Sequence, residues 1–280
     1  MHRTIQKTVT GFHTQDGAGV HLVRVLGNST VHDYDPILML DSFDSTNPDD
    51  YTAGFPMHPH RGIETISYVV SGQMMHRDSL GSEDTISDGE VQWMTAGSGI
   101  LHEERIPAAP RLLGVQLWLN LPAKDKMVPP AYYRISHDSI PNVELSGGSL
   151  RVLAGSYQEV QGFQSSYLPF DYYDVFVKAG EKVTIAMKTG RSAMAFTLSG
   201  NAVIAGQAVK EKTAVKLSDG DSLEIEAEDT DLHVLVMSAP ALQEPVVWGG
   251  PIVMNTNKEL NQAFDDLENG TFLRDTVHYD

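Results

Sequence analysis

Cysteine is missing altogether from the 280 residues. Its absence excludes a disulfide framework and thiolate ligation, so metal binding would fall to nitrogen and oxygen donors, above all histidine and carboxylate. Basic residues are also scarce, 20 against 37 acidic ones, for a formal net charge of −17. Such a surplus repels phosphate backbones, so direct nucleic-acid binding is not expected. No apolar run is long enough to cross a bilayer, and Arg3 and Lys7 near the N-terminus are not followed by an apolar segment of the secretory type. The expectation is a soluble, cytoplasmic protein without membrane contact. With 41% hydrophobic and 20% charged residues the composition is that of an ordinary globular protein. At this length a single core stops growing, which favours two packed domains.

What is present is a series of short alternating segments divided by turn residues. Ile66, Tyr68 and Val70 share one face of a segment that stops at Ser71-Gly72, and Val91 opens another after Ser87-Asp88-Gly89. The second half has the same rhythm, with strands expected at 174–177, 183–187, 193–198, 223–225 and 232–237. Two local matches connect the halves: Tyr68-Val69-Val70-Ser71-Gly72 with Phe196-Thr197-Leu198-Ser199-Gly200, and Ser87-Asp88-Gly89-Glu90 with Ser218-Asp219-Gly220-Asp221. They occur in the same order, at offsets of 17 residues (Gly72 to Gly89) and 20 (Gly200 to Gly220), which points to an internal repeat and two related β-barrels.

The chemistry concentrates in the first half, where nine of the 11 histidines lie within residues 1 to 137. His58-Pro59-His60 and His102-Glu103-Glu104 each place ligand-type side chains at i and i+2. On a strand these share a face, so two such strands facing each other across a small barrel would present three imidazoles and one carboxylate to a single ion, with Glu103 turned away. Glu64, four residues after His60, has the same ideal parity and is the alternative carboxylate; the Arg61-Gly62 step could disturb that parity. Counting from the repeat glycines carries His58 and His60 to Ala186 and Lys188, and His102 and Glu104 to His233 and Leu235. One imidazole of four ligands does not hold a metal, so the second barrel is expected to be metal-free and His233 to be packed or hydrogen-bonded. His2, His13, His21 and His278 read as surface or terminal residues, and His76 as a side chain that could support a ligand.

The two glycine-flanked histidine motifs, 42 residues apart from His60 to His102, resemble those of the cupin superfamily of jelly-roll barrels. More specifically, the chain resembles the pirin family, through Asp35-Pro36-Ile37-Leu38-Met39-Leu40-Asp41, His58-Pro59-His60-Arg61-Gly62, Gly89-Glu90-Val91-Gln92-Trp93-Met94-Thr95-Ala96-Gly97, the stretch 116–127 beginning Gln116-Leu117-Trp118, and Gly250-Pro251-Ile252-Val253-Met254-Asn255-Thr256. The resemblance spans nearly the whole chain. It implies an all-β bicupin with a metal-bearing N-terminal barrel (1–135) and a metal-free C-terminal barrel with a terminal helix (136–280), the metal ligands being His58, His60, His102 and Glu104. Met57, Ile63 and Ser98 depart from residues common at those positions and would alter the entrance or the substrate's shape, leaving the ligands intact.

Such a donor set suits a first-row divalent ion, here expected to be Fe(II), with Mn, Ni, Cu or Zn able to occupy the same site. The family further implies quercetin 2,3-dioxygenase activity, in which a flavonol's central ring is opened by O2 with release of CO and Glu104 is the natural general base. The other function carried by the resemblance is non-enzymatic: an iron-binding, redox-sensitive regulator acting through a protein partner, either a transcription factor or a metabolic enzyme. A monomer or weak dimer is expected. Leu260, Ala263, Phe264 and Leu267 at helical spacing, Thr256 with Glu259 as a capping box, and Gly270 as a stop predict a short amphipathic helix packed on a barrel. Pro129-Pro130 to Pro141 reads as the connection between barrels, ordered along the first.

Overall fold

The computed structural model describes residues 1–274; His278, expected at the surface, and the end of the expected second domain lie outside the described residues. The fold is all-β with one α-helix, Asn257–Glu268. No helix among the described residues is long and apolar enough to cross a membrane.

The chain forms two compact units. Among the described residues, one comprises 13–31, 37–137 and 242–274. Its larger sheet has seven strands in the order Ala131–Ile135, Glu90–Thr95, Ile63–Ser71, Leu112–Asn120, Ile37–Ser45, Val20–Leu26 and Phe12–Asp16. Its smaller sheet has four: Phe55–His60, Ile100–Arg105, Met74–Asp78 and Glu83–Ile86. The other unit has a seven-stranded sheet in the order Ile5–Thr10, Thr213–Leu217, Ser192–Ser199, Leu232–Ala239, Asp171–Val177, Gly148–Ala154 and Asn142–Leu145. Its four-stranded sheet consists of Lys182–Ala186, Ser222–Ala227, Ala202–Ile204 and Gln207–Val209. The matching seven-plus-four architecture is the structural form of the internal repeat, and the strands expected from alternation in the second half are all present.

The units do not divide at 135/136. The N-terminal strand Ile5–Thr10 pairs with Thr213–Leu217 of the second barrel, and the C-terminal segment belongs to the first. Backbone pairing decides the first exchange, because an unpaired strand edge leaves its N–H and C=O groups to solvent. Burial of the helix decides the second: Ala263 packs with Ile252, Met254 and Phe272, with Leu260 and Leu267 at the margin. The terminal helix is thus part of the first unit. Phe264, expected on its apolar face, is 38% exposed. The Thr256/Glu259 capping box is present, and Gly270 with φ +68° ends the helix where an L side chain would be strained. Part of the expected connection is a strand, Ala131–Ile135, which pairs with Glu90–Thr95 at the edge of the first barrel's larger sheet.

The second barrel is filled with aliphatic side chains, among them Val175, Ile185, Val215, Ile225 and Val234, all 0% exposed. Each such side chain stabilises the fold by roughly 1.5–3 kcal/mol. Ala186 and Lys188, the positions mapped from His58 and His60, lie on or beside an outer strand, and Lys188 pairs with Asp171 at 2.8 Å. His233 Nδ1 donates to Asp174 Oδ1 at 3.2 Å, and the ring meets the edge of Phe176. Its role is that of a hydrogen-bonded histidine at the rim of a packed sheet.

Candidate metal centre

His58 and His102 are direct partners in one antiparallel ladder. The strands Phe55–His60 and Ile100–Arg105 are hydrogen-bonded neighbours in the smaller sheet, and do not face each other across the barrel as the spacing alone suggests. Directly opposed side chains in such a ladder lie about 5 Å apart at Cβ, close enough for both to reach one ion. Among the described residues, His58, His60 and His102 form a group whose ligand nitrogens all lie within 4.8 Å of one another. His60 and His102 are buried and His58 is half-buried.

The hydrogen bonds fix which nitrogen each ring offers. The Nδ1 atoms of His58 and His60 lie 2.8 Å from the Pro56 carbonyl and 3.0 Å from the Pro251 carbonyl. A carbonyl only accepts, so each Nδ1 carries the proton and each neutral ring keeps its lone pair on Nε2. These two Nε2 atoms stand 3.0 Å apart with no proton to share. Two nitrogens bound at right angles to one ion with bonds of about 2.1 Å would be about 3.0 Å apart. His102 Nε2 is buried and without a hydrogen-bond partner. Two imidazole lone pairs converging beside the unpartnered His102 Nε2 suit a divalent first-row cation, and the carbonyl contacts at Nδ1 of His58 and His60 are the supports usual for metal-bound histidines. Burial, with the neighbouring His58 adding to it, lowers the His60 pKa to about 3, and burial beside the other rings holds His102 well below the usual imidazole range. Both are therefore neutral donors at physiological pH.

Glu104 is two residues beyond His102 on the same strand, but its carboxylate is not part of the three-histidine group. Gln92 Nε2 donates to Oε1 at 2.7 Å, and Gln116 Nε2 donates to both oxygens at 2.9 Å. A register shift between His102 and Glu104 offsets the two along the ladder. Glu64 has moved to another sheet. After His60 the chain turns at Gly62, whose φ is +80° and whose missing side chain leaves room for the Val253 carbonyl, 2.0 Å from where a Cβ would be. Glu64 is consequently in the strand Ile63–Ser71, where Thr95 Oγ1 donates to it at 2.7 Å and burial raises its pKa. His76 stands behind His102, the two Nδ1 atoms 3.4 Å apart.

A cavity of about 510 Å³ opens on His58 and His60. Trp118 and Trp248 form an aromatic wall with ring centroids 5.4 Å apart, and Trp118 also meets His60 edge-on at 5.0 Å. Arg24 forms the polar side, making a bidentate pair with Asp41 at 2.9 and 2.7 Å, which holds the guanidinium pKa above its ordinary value. Sequence spacing revealed the histidines but missed Gln92 and Gln116 as the donors to Glu104, and missed Trp248 and Pro251, which arrive from the far end of the chain. The only signal for Gln92, Gln116 and Pro251 was their place within the stretches that resemble the pirin family; Trp248 lies outside them.

Two family models match the chain: Pirin over residues 19–119 and the Pirin C-terminal cupin domain over residues 172–273. A pirin-like protein of Caulobacter vibrioides is 41% identical, over 96% of this chain and 99% of that protein. Pirin of Homo sapiens is 34% identical, over 95% of this chain and 93% of its own length. The crystal structure of a quercetin 2,3-dioxygenase from Acinetobacter baumannii superposes with a TM-score of 0.89 at 31% identity, covering 97% of this chain and 99% of that one. With both barrels matched and relatives similar along nearly their full length, the chain belongs to the pirin family.

Proposed function

We propose that the protein is a metal-dependent dioxygenase that opens the central ring of a flavonol with O2 and releases CO, as quercetin 2,3-dioxygenases do. The observation that carries this is the convergence of three histidine rings, two of which, His58 and His60, line an aromatic-walled cavity. Nε2 of His58, His60 and His102 would hold the ion, with Glu104 as fourth ligand; Fe(II) is the metal we assign, in preference to Mn, Ni, Cu or Zn. When bound, the metal supplies Lewis acidity to the flavonol's enolic hydroxyl and a site for O2.

The remaining roles belong to the chain itself. A cavity of about 510 Å³ is in the roughly 300–1,000 Å³ range of small-molecule sites. The indoles of Trp118 and Trp248 offer flat apolar surface to a planar polyphenol. Glu104 would accept the enolic proton at a carboxylate oxygen, oriented for it by the amides of Gln92 and Gln116. A regulator acting only through a protein surface has no need of such a cavity beside its metal, which favours the enzyme.

The test is anaerobic reconstitution with Fe(II), admission of air, and parallel measurement of quercetin loss and CO release, with His58→Ala as control. Metal-dependent turnover with one CO per quercetin is expected. Stoichiometric metal binding without turnover, with iron and also with manganese, nickel or copper, would move the assignment to a metal-dependent regulator acting through a protein partner.

A further inference from the structure

We infer that Asp78 and His76 select the tautomer of His102, making them positioning residues for the metal centre. The inference rests on the three-histidine metal site proposed above. Asp78 and His76 lie on one face of the strand Met74–Asp78, which pairs with the other side of the His102 strand. Both side chains are 0% exposed.

With one proton on each imidazole and none on the carboxylate, the chain of hydrogen bonds has only one consistent assignment. Asp78 Oδ1 accepts the backbone N–H groups of Leu80 and Ser82 at 2.8 and 3.1 Å, which fixes the carboxylate's rotation. Oδ2 is thereby directed at His76 Nε2, 2.8 Å away. A carboxylate only accepts, so Nε2 of His76 carries the ring's proton and Nδ1 keeps its lone pair. That lone pair faces His102 Nδ1 at 3.4 Å and can be satisfied only if His102 is protonated there. His102 Nε2, the buried atom without a partner, is then a lone pair. Tyr132, stacked on His76 with centroids 4.3 Å apart and planes 14° apart, keeps the His76 ring from rotating out of this line. The arrangement extends the usual carboxylate–histidine–metal support by one more imidazole.

Asp78→Asn reverses the relay with almost no change of shape. The amide oxygen must stay at the Oδ1 position to accept from Leu80 and Ser82, so the NH2 group falls opposite His76 Nε2 and donates to it. His76 then carries its proton on Nδ1 and donates to His102 Nδ1, forcing the His102 proton onto Nε2, where it blocks a metal. The experiment uses the full chain labelled with 15N-histidine, free of metal at pH 7.5, together with Zn(II) titrations of wild type and Asp78→Asn. Wild type is expected to show His76 protonated at Nε2 and His102 at Nδ1. In Asp78→Asn both tautomers invert and Zn(II) affinity falls roughly 10- to 100-fold.

A wild-type spectrum with His102 protonated at Nε2, or with His76 protonated on both nitrogens, overturns the inference, and this measurement decides even if the variant does not fold. A folded Asp78→Asn with wild-type Zn(II) affinity overturns it as well, leaving the metal centre intact. A wild type that shows the expected tautomers but binds no metal contradicts the metal centre and removes the function assigned to the relay.

Discussion

Replacing His60 with alanine is expected to abolish stoichiometric binding of divalent metal and leave the protein folded. The ring supplies one of three imidazole nitrogens and contributes a single hydrogen bond to the fold, the Nδ1 contact with Pro251. Because His60 is buried and held as a neutral ring, it costs no deprotonation to bind an ion at neutral pH, and its removal should weaken binding by more than the roughly 10- to 100-fold typical of lost supporting contacts. Competition titration with a chromophoric chelator measures the affinity, and thermal unfolding of the metal-free proteins checks the fold. His233→Ala is the matched control: it removes a histidine bonded to Asp174, and metal stoichiometry should not change. Retention of one equivalent of tightly bound metal by His60→Ala would contradict the assignment of His60 as a ligand.

Arg61→Ala should cause the largest loss of stability in the first barrel, about 3–5 kcal/mol. The guanidinium is buried and every arm is used. Nε donates to the Ser98 carbonyl at 2.6 Å, Nη1 to Asp266 at 2.7 Å and Nη2 to the Phe272 carbonyl at 2.8 Å, and its carbon lies 4.2 Å from the centre of the Phe272 ring. Alanine removes the closest ion-pair partner of Asp266, leaving that carboxylate to Gln262 and the more distant Arg274, and takes the donor from two carbonyls, a loss large beside a typical total stability of 5–15 kcal/mol. Urea unfolding at pH 7 gives the magnitude, and its dependence on acid identifies the cause. The hydrogen bonds from Arg61 and Gln262 hold the Asp266 pKa below its ordinary 3.8. The unfolded chain therefore takes up a proton before the folded one does, so the stabilisation is fully present above about pH 4 and is lost as pH falls through the depressed value. Asp266→Asn should flatten that acid limb. A change below about 1 kcal/mol for Arg61→Ala would show that the pair does not anchor the C-terminal segment. The consequence for function follows from position: Arg61 ties down the segment that carries Pro251, whose carbonyl orients His60.

Much of this was legible in the sequence because its signals are local. Strand alternation, the Gly72 and Gly200 turns, and the i/i+2 histidine pairs depend on residues close together in the chain, and the two seven-plus-four barrels follow from them. Parity placed His58 with His60 and His102 correctly, but it carried Glu64 onto the same face because it assumes an unbroken strand. The turn at Gly62, made necessary by the approach of Val253 from nearly 200 residues away, sends Glu64 into another sheet. The exchange of terminal segments was hidden for the same reason. Whether Ile5–Thr10 pairs with Thr213–Leu217, or the final helix packs beside Met254, is decided by which sheet edge and apolar patch remain uncovered after the barrels form. No spacing within either segment encodes that choice. Arg61 was visible as part of His58-Pro59-His60-Arg61-Gly62, yet its partners Asp266 and Phe272 are more than 200 residues distant.

The most direct test of the metal centre is a crystal structure of the Fe(II)-loaded protein with anomalous diffraction recorded on both sides of the iron edge. One anomalous peak is predicted, within about 2.2 Å of Nε2 of His58, His60 and His102, with a Glu104 oxygen completing the protein ligands. A peak elsewhere in the molecule, or a metal held by the Nδ1 nitrogens that face Pro56 and Pro251, would contradict the account.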